Sequence, residues 1–176
     1  MSGINGRRRE YSQWEGGFES SGKTLGIIGL GDIGQRLSHR ARALGMRIVA
    51  YDPLVLSTHW TVMDCGTELK AFDEVLAFSD FVSLHVPLTK KTYHLTNKGR
   101  LRQMKPSGYL INTARGGVVD EMALWQSLQS GYLAGDAPDV REVEPACSDD
   151  LLRQEPRILL TPHISGLTQE AQVRTA

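Results

Sequence analysis

Thr24-Leu-Gly-Ile-Ile-Gly-Leu-Gly-Asp-Ile-Gly34, with Tyr51-Asp52-Pro53 downstream, is the stretch that decides the fold. The apolar run 25–28 reads as a buried strand, because a strand covered on both faces needs no polar alternation. It breaks into Gly29-x-Gly31-x-x-Gly34, and a segment with helical apolar faces follows, ending near Gly45. A second apolar run, 46–50, stops at an acid. Each part has a physical reason. Gly29 permits the tight turn, Gly31 lets a pyrophosphate approach the backbone, and Gly34 lets helix and strand pack closely. The amides that open the helix face those phosphates with the positive end of its dipole. Asp52 lies 18 residues beyond Gly34, at the end of the second strand, where a carboxylate accepts hydrogen bonds from ribose hydroxyls. A glycine triplet alone is weak evidence. Strand, glycine turn, helix, strand and acid in this order specify a dinucleotide-binding unit.

The 176 residues suffice for one domain with its own core and short extensions. Twenty Lys and Arg balance twenty Asp and Glu, so no electrostatic drive toward nucleic acid or an anionic membrane exists. No apolar run approaches membrane-spanning length. The beginning, Met1-Ser-Gly-Ile-Asn-Gly-Arg-Arg-Arg9, lacks the apolar stretch of a secretory signal, and its arginines read as a solvated patch. Cys65 and Cys147 stand far apart in no metal-ligand spacing and read as free thiols of a reducing cytoplasm. No metal site is readable.

Residues 1–22, rich in Gly, Arg, Ser and Glu, read as an arm or linker, with Tyr11, Trp14 and Phe18 as anchors. From residue 23 to 176, strand-like and helix-like pieces alternate, which predicts a Rossmann-like α/β fold: a doubly wound parallel sheet with helices on both faces. Strands are expected at 24–29, 47–51, 81–85, 108–112, 134–137 and 158–161, with a short one near 61–64. Helices are expected at 33–44, 73–78, 97–103, 120–130 and 168–175. Gly45 and Gly131 are placed to close helices, and Asp120 to open one as its N-cap. Ligands of such sheets bind outside the carboxyl ends of the strands. Those ends are the Gly29 loop, Asp52, His85-Val-Pro, Asn112-Thr-Ala-Arg115, Asp139 and Thr161-Pro-His163.

Arg115, Glu144 and His163 make a chemical set on or near that rim. Reducing a 2-oxo acid requires, besides a hydride donor, a cation for the carboxylate, and Arg supplies a planar two-donor fork. It requires a proton donor for the carbonyl oxygen, which His provides near neutral pH. A carboxylate beside the imidazole orients the ring and favours its charged form.

The motifs Gly26-Ile-Ile-Gly-Leu-Gly-Asp-Ile-Gly34, Ser79-Asp-Phe-Val-Ser-Leu-His-Val-Pro-Leu-Thr89, Ile111-Asn-Thr-Ala-Arg-Gly-Gly-Val-Val-Asp-Glu121, Asp139-Val-Arg-Glu-Val-Glu-Pro145 and Thr161-Pro-His-Ile-Ser-Gly166 carry a family resemblance. From about Trp14 onward the chain resembles the nucleotide-binding domain of the D-isomer-specific 2-hydroxy acid dehydrogenases. The resemblance implies NAD as cofactor and a small 2-oxo or D-2-hydroxy acid as substrate. It makes Arg115 the substrate-binding arginine, Glu144 the catalytic glutamate and His163 the acid/base histidine. The glycines Gly29, Gly31 and Gly34 with Asp32, Ile33, Asp52, Val86, Thr113, Ala114, Asp139 and Ser165 fall where relatives contact the dinucleotide. Asp52 favours NAD over NADP, whose 2′-phosphate it would repel. Relatives pair through this domain and its arm, so a homodimer is implied.

Departures from the family pattern set further expectations. Asp32 replaces a frequent Arg, so it weakens cofactor binding or caps the helix. Gly135-Asp-Ala-Pro-Asp-Val140 stands where relatives show Gly-Ala-Ala-Leu-Asp-Val. Asp136 and Pro138 threaten an apolar strand, because proline removes a ladder donor and a buried unpaired carboxylate is costly; displacement of Asp139 and Glu144 is the feared result. The family's substrate domain is absent from this chain, so the isolated chain is expected to be inactive or weakly active. The rival is a non-catalytic dinucleotide sensor or interaction module of the same fold. His85 is expected to be structural, and His39, His59 and His94 to be surface residues.

Overall fold

A computed structural model describes residues 17–145 and 150–175. Six strands, β1 (Thr24–Ile28), β2 (Arg47–Tyr51), β3 (Glu68–Leu69), β4 (Phe81–Leu84), β5 (Tyr109–Asn112) and β6 (Gly135–Pro138), form one sheet in the order β3-β2-β1-β4-β5-β6. Every pairing is parallel. The chain winds outward from β1 in one direction, then crosses back to β4 and winds in the other, so the order reverses between β1 and β4. That reversal opens the crevice in which such folds take ligands.

The helices are α1 (Asp32–Ala43), α2 (Trp60–Cys65), α3 (Phe72–Phe78), α4 (Lys98–Leu101), α5 (Glu121–Gln129), α6 (Leu151–Gln154) and α7 (Gln169–Thr175). Local chemistry sets their ends. Asp120 caps α5 by accepting from the Ala123 N–H at 2.9 Å, and Gly45 and Gly131 leave their helices at φ 78° and 71°, a region that disfavours side chains.

Successive residues of β1 serve opposite layers, as the strand period requires. Ile27 packs with Leu25, Leu30, Ile48 and Ala50. Ile28 joins the larger cluster of Val82, Leu84, Leu110, Leu124 and Leu128. Most of these side chains are wholly buried, each worth about 1.5–3 kcal/mol. A strand buried on both faces explains the uninterrupted apolar run.

Two strand expectations need correction. The segment near 61–64 is helical, forming α2, and the third strand lies later, at Glu68–Leu69. An apolar run of that length fits either period, so pattern alone cannot choose. The segment 158–161 forms no strand; it makes one bridge, Ile158 to Asp136, while running along the outer edge of β6. Its hydrogen bonds fall on alternate residues: Asp136 N to Arg157 O at 3.1 Å, Leu159 N to Asp136 O at 2.9 Å and Thr161 N to Pro138 O at 3.3 Å.

That geometry removes the objection to Pro138. Its carbonyl points outward to Thr161, so its missing N–H also lies on the outer side, and the ladder to β5 continues through Asp139 N to Asn112 O at 2.9 Å. The feared displacement of Asp139 does not occur. Asp136 does carry the expected penalty: it is 4% exposed, and among the described residues neither carboxyl oxygen has a hydrogen-bond partner. Burial pushes its pKa up to about 8, so it is uncharged at neutral pH.

Candidate active site

The glycine loop sits at the crevice. Gly29 holds φ 94°, and a Cβ there would lie 2.5 Å from the His85 carbonyl oxygen, so β1 and β4 end in close contact only because this residue has no side chain. At Gly34 a Cβ would overlap the Gly29 carbonyl, which is how α1 starts so near the strand. Gly31 differs: among the described residues nothing lies within 4 Å of the place its Cβ would take. It is the N-cap of α1, with no side-chain cap, and the first helical bond runs from Gln35 N to Gly31 O at 2.9 Å. Open space beside uncapped amides of a 12-residue helix suits a phosphate. Asp32 is therefore not the cap; it is the exposed first helical residue, beside exposed Ile33.

Asp52 braces this loop. Its carboxylate accepts from Leu30 N at 2.8 Å and from Leu54 N at 2.9 Å. An ionised carboxylate has about four lone-pair positions, so capacity for ribose hydroxyls remains. Val86 lies half-buried at the end of β4, against the larger core. His85 beside it hydrogen-bonds Ser83 Oγ through Nε2 at 2.9 Å, and burial lowers its pKa. It is neutral and structural.

Arg115 is exposed on the loop after β5. The buried Asn112 shapes that loop: its Nδ2 donates to Arg115 O at 3.0 Å, and its Oδ1 accepts from Ala114 N at 3.1 Å. Thr113 is exposed and Ala114 half-buried. Gly116 then presses on the next rim loop so closely that a Cβ would overlap the Arg141 carbonyl. The arginine loop and the loop carrying Glu144 are thus in backbone contact.

Glu144 and His163 form a pair. His163 Nδ1 lies 2.8 Å from Glu144 Oε2, while Arg141 N donates to Glu144 Oε1 at 2.8 Å. The bond from His163, then that from Arg141, hold the glutamate pKa below its ordinary range. With Glu144 accepting at Nδ1, Nε2 is free to face a substrate. His163 sits at φ 54°, an uncommon conformation for a residue with a side chain. Asp139 enforces it, accepting from Thr161 Oγ1 at 2.5 Å, Ile164 N at 2.9 Å and Ser165 N at 2.9 Å. Burial alone would raise the Asp139 pKa, but those donors outweigh it and hold the carboxyl far below its usual range. A cavity of about 560 Å³ borders Asp139, Glu144 and His163.

Two features escaped the sequence. His94 is not a plain surface residue: at φ 47° it contacts Glu142, lies 4.0 Å from Asp120 Oδ2 and stacks on Tyr93. Arg141 is 11% exposed and ties Glu121 to Asp150; a lone cation within the acidic run 139–150 is its only signal in the sequence. Tyr11 and Trp14 lie outside the described residues, while Phe18 is 80% exposed with Lys23 Nζ 5.2 Å above its ring. Among the described residues no helix is long and apolar enough to cross a membrane.

Known proteins resemble this chain in sequence and fold. A family model described as "D-isomer specific 2-hydroxyacid dehydrogenase, NAD binding domain" matches residues 4–165. D-3-phosphoglycerate dehydrogenase of Bacillus subtilis is 44% identical across 100% of this chain, which covers 33% of that protein. Glyoxylate reductase of Thermococcus litoralis is 44% identical over 89% of the chain and 46% of its own length. The crystal structure of a glyoxylate reductase from Paecilomyes thermophila superposes with TM-score 0.85 at 39% identity, covering 93% of this chain and 48% of that one. The NAD complex of formate dehydrogenase from Staphylococcus aureus gives 0.81 at 40%, covering 89% and 46%. The chain spans a third to a half of the length of these relatives. A glycine cradle at the switch point, a histidine–glutamate pair on the same rim and a match over nearly all residues place this chain in the D-isomer-specific 2-hydroxyacid dehydrogenase family, as its NAD-binding domain.

Proposed function

We propose that this chain holds NAD(H) and supplies the catalytic groups for interconverting a small 2-oxo acid, of the glyoxylate or hydroxypyruvate class, and its D-2-hydroxy acid. The observation that carries it is the Glu144–His163 pair at 2.8 Å, fixed in a strained turn by Asp139. Bound NADH supplies the hydride. The open cradle at Gly31, with Asp32 and Ile33 beside it, receives the pyrophosphate, and Asp52 receives the adenosine ribose. Val86, Thr113, Ala114, Asp139 and Ser165 would contact the bound dinucleotide. Arg115 grips the substrate carboxylate with its two-donor fork. His163, oriented through Nδ1 by Glu144, passes a proton from Nε2 to the carbonyl oxygen as charge gathers there. Glu144 stays ionised and stabilises the imidazolium.

Asp52 makes NADH the preferred cofactor, since a 2′-phosphate would meet a carboxylate. The exposed ring of Phe18 supports a homodimer built partly on the arm, and two widely spaced cysteines support a cytoplasmic site. An open rim does not exclude water or complete the substrate contacts, so turnover by this chain alone is slow. The test is NADH titration by fluorescence together with reduction of glyoxylate and hydroxypyruvate. Arg115→Ala, Glu144→Gln and His163→Ala should keep NADH binding and lose the residual reduction. Intact NADH binding with no reduction by the wild type would favour a dinucleotide sensor. Absence of NADH binding would overturn both.

A further inference from the structure

The loop that carries Glu144 is anchored by a cluster outside the catalytic groups. Arg141 Nε and Nη2 reach the two oxygens of Glu121 on α5 at 2.8 and 2.9 Å. Its Nη2 also reaches Asp150 Oδ1, at the start of α6, at 2.9 Å, with Nη1 in contact with Oδ2. Glu121 Oε1 accepts from Glu142 N at 2.8 Å as well, so one side chain of α5 holds both the guanidinium and the backbone of the loop. The Arg141 N–H is the group that grips Glu144 Oε1.

Resting on the role given above to Glu144, we infer that Arg141 is a positioning residue: by bridging α5 and α6 it fixes the backbone amide that aims Glu144 at His163. A bidentate guanidinium between two carboxylates leaves the loop little freedom, whereas a loop without it lets Glu144 turn to solvent. Beneath the anchor lies Asp136, buried and unpaired, bordering a small cavity with Glu121 and Val140. Glu121 of α5 and Arg141 of its own loop are charges that act on it.

The imidazole tautomer of His163 reads this coupling in the free chain. Long-range ¹H–¹⁵N spectra of the neutral ring should show the proton on Nδ1 in the wild type, held by Glu144. Arg141→Met should shift it toward Nε2, and Arg141→Met/Glu121→Gln/Asp150→Asn, which leaves no carboxylate uncompensated, should do the same. An unchanged tautomer in a folded Arg141 variant overturns the inference. A merely structural Arg141 would lower the melting temperature and leave the tautomer alone. Because the spectra need neither cofactor nor substrate, a chain that reduces nothing still reports on Arg141. Conversely, a chain that reduces glyoxylate with an indifferent Arg141 sinks this inference only.

Discussion

Replacing Asp136 should stabilise the protein, and by an amount that depends on pH. The carboxyl ionises near 3.8 when free and near 8 when buried in the fold. Between those values the folded chain holds a proton that the unfolded chain does not. Stability therefore falls as pH rises, by about 1.4 kcal/mol for each pH unit from about 4 to about 8. At neutral pH the accumulated penalty is on the order of 4 kcal/mol, to which the unsatisfied oxygens add. Asp136→Ala removes both and opens a void costing about 1 kcal/mol. At roughly 2–4 °C per kcal/mol for a domain of this size, a net gain of at least about 3 kcal/mol raises Tm by about 6–12 °C or more near neutrality. The assay is thermal or urea unfolding of wild type and variant from about pH 5.5 to about pH 8, a window inside the linkage range. Other titrations do not obscure it. Asp80, Asp139, Glu144, Asp150 and Glu155 are all held low, so their contributions are complete above the ordinary carboxylate range and flat here. His85, held low by burial, adds stability as pH rises, but equally in both proteins. The difference between wild type and Asp136→Ala should widen steadily with pH. A constant difference, or a variant less stable than wild type at the alkaline end, would refute the assignment of Asp136 as buried, unpaired and neutral.

Asp139→Ala should release the His163 turn and lower unfolding free energy by roughly 2–4 kcal/mol, read by urea denaturation; unchanged stability would show that the three donors find other partners. In the wild type the stability contributed by Asp139 is present above the ordinary carboxylate range and lost as pH falls toward its depressed value, so the acid limb should flatten in that variant. Gly116→Ala should destabilise by about 2 kcal/mol, since its Cβ must displace the Arg141 carbonyl; an unaltered Tm would contradict that contact. Asp52→Asn should narrow the preference for NADH over NADPH in fluorescence titrations, and equal preference before and after the change would count against its facing the ribose.

The fold was legible where the physics is local. Residues 25–28 are apolar because β1 is covered on both sides, and Gly29, Gly31 and Gly34 mark the turn that follows. Asp120 and Gly131 bracket α5 through rules of helix ends that need no tertiary knowledge. The pairing of Glu144 with His163 was legible as a set of residue types, and the structure brings those two together. The failures have a common cause. Residues 158–161 look like a strand because Ile158, Leu159 and Leu160 are apolar, yet whether they pair depends on a neighbour whose outward positions include a proline. Residues 60–65 are too few to display a period. Arg141 and His94 gain their importance from Glu121, Asp120 and Glu142, which sequence separation hides. The apolar setting of Asp136 is visible in the sequence; that both its oxygens lack a partner among the described residues depends on the three-dimensional packing.

The edge contact between β6 and residues 157–161 has a consequence for how the gene can vary in length. Arg157, Leu159 and Thr161 are locked in step with Asp136 and Pro138, and His163 follows two residues after the last tie. The stretch acts as a ruler measured off the sheet. Inserting or deleting a single codon between Arg157 and His163 would turn alternate carbonyls away from their donors and carry the imidazole past Glu144. Length changes there should therefore abolish the pair even where the new residue is chemically innocuous.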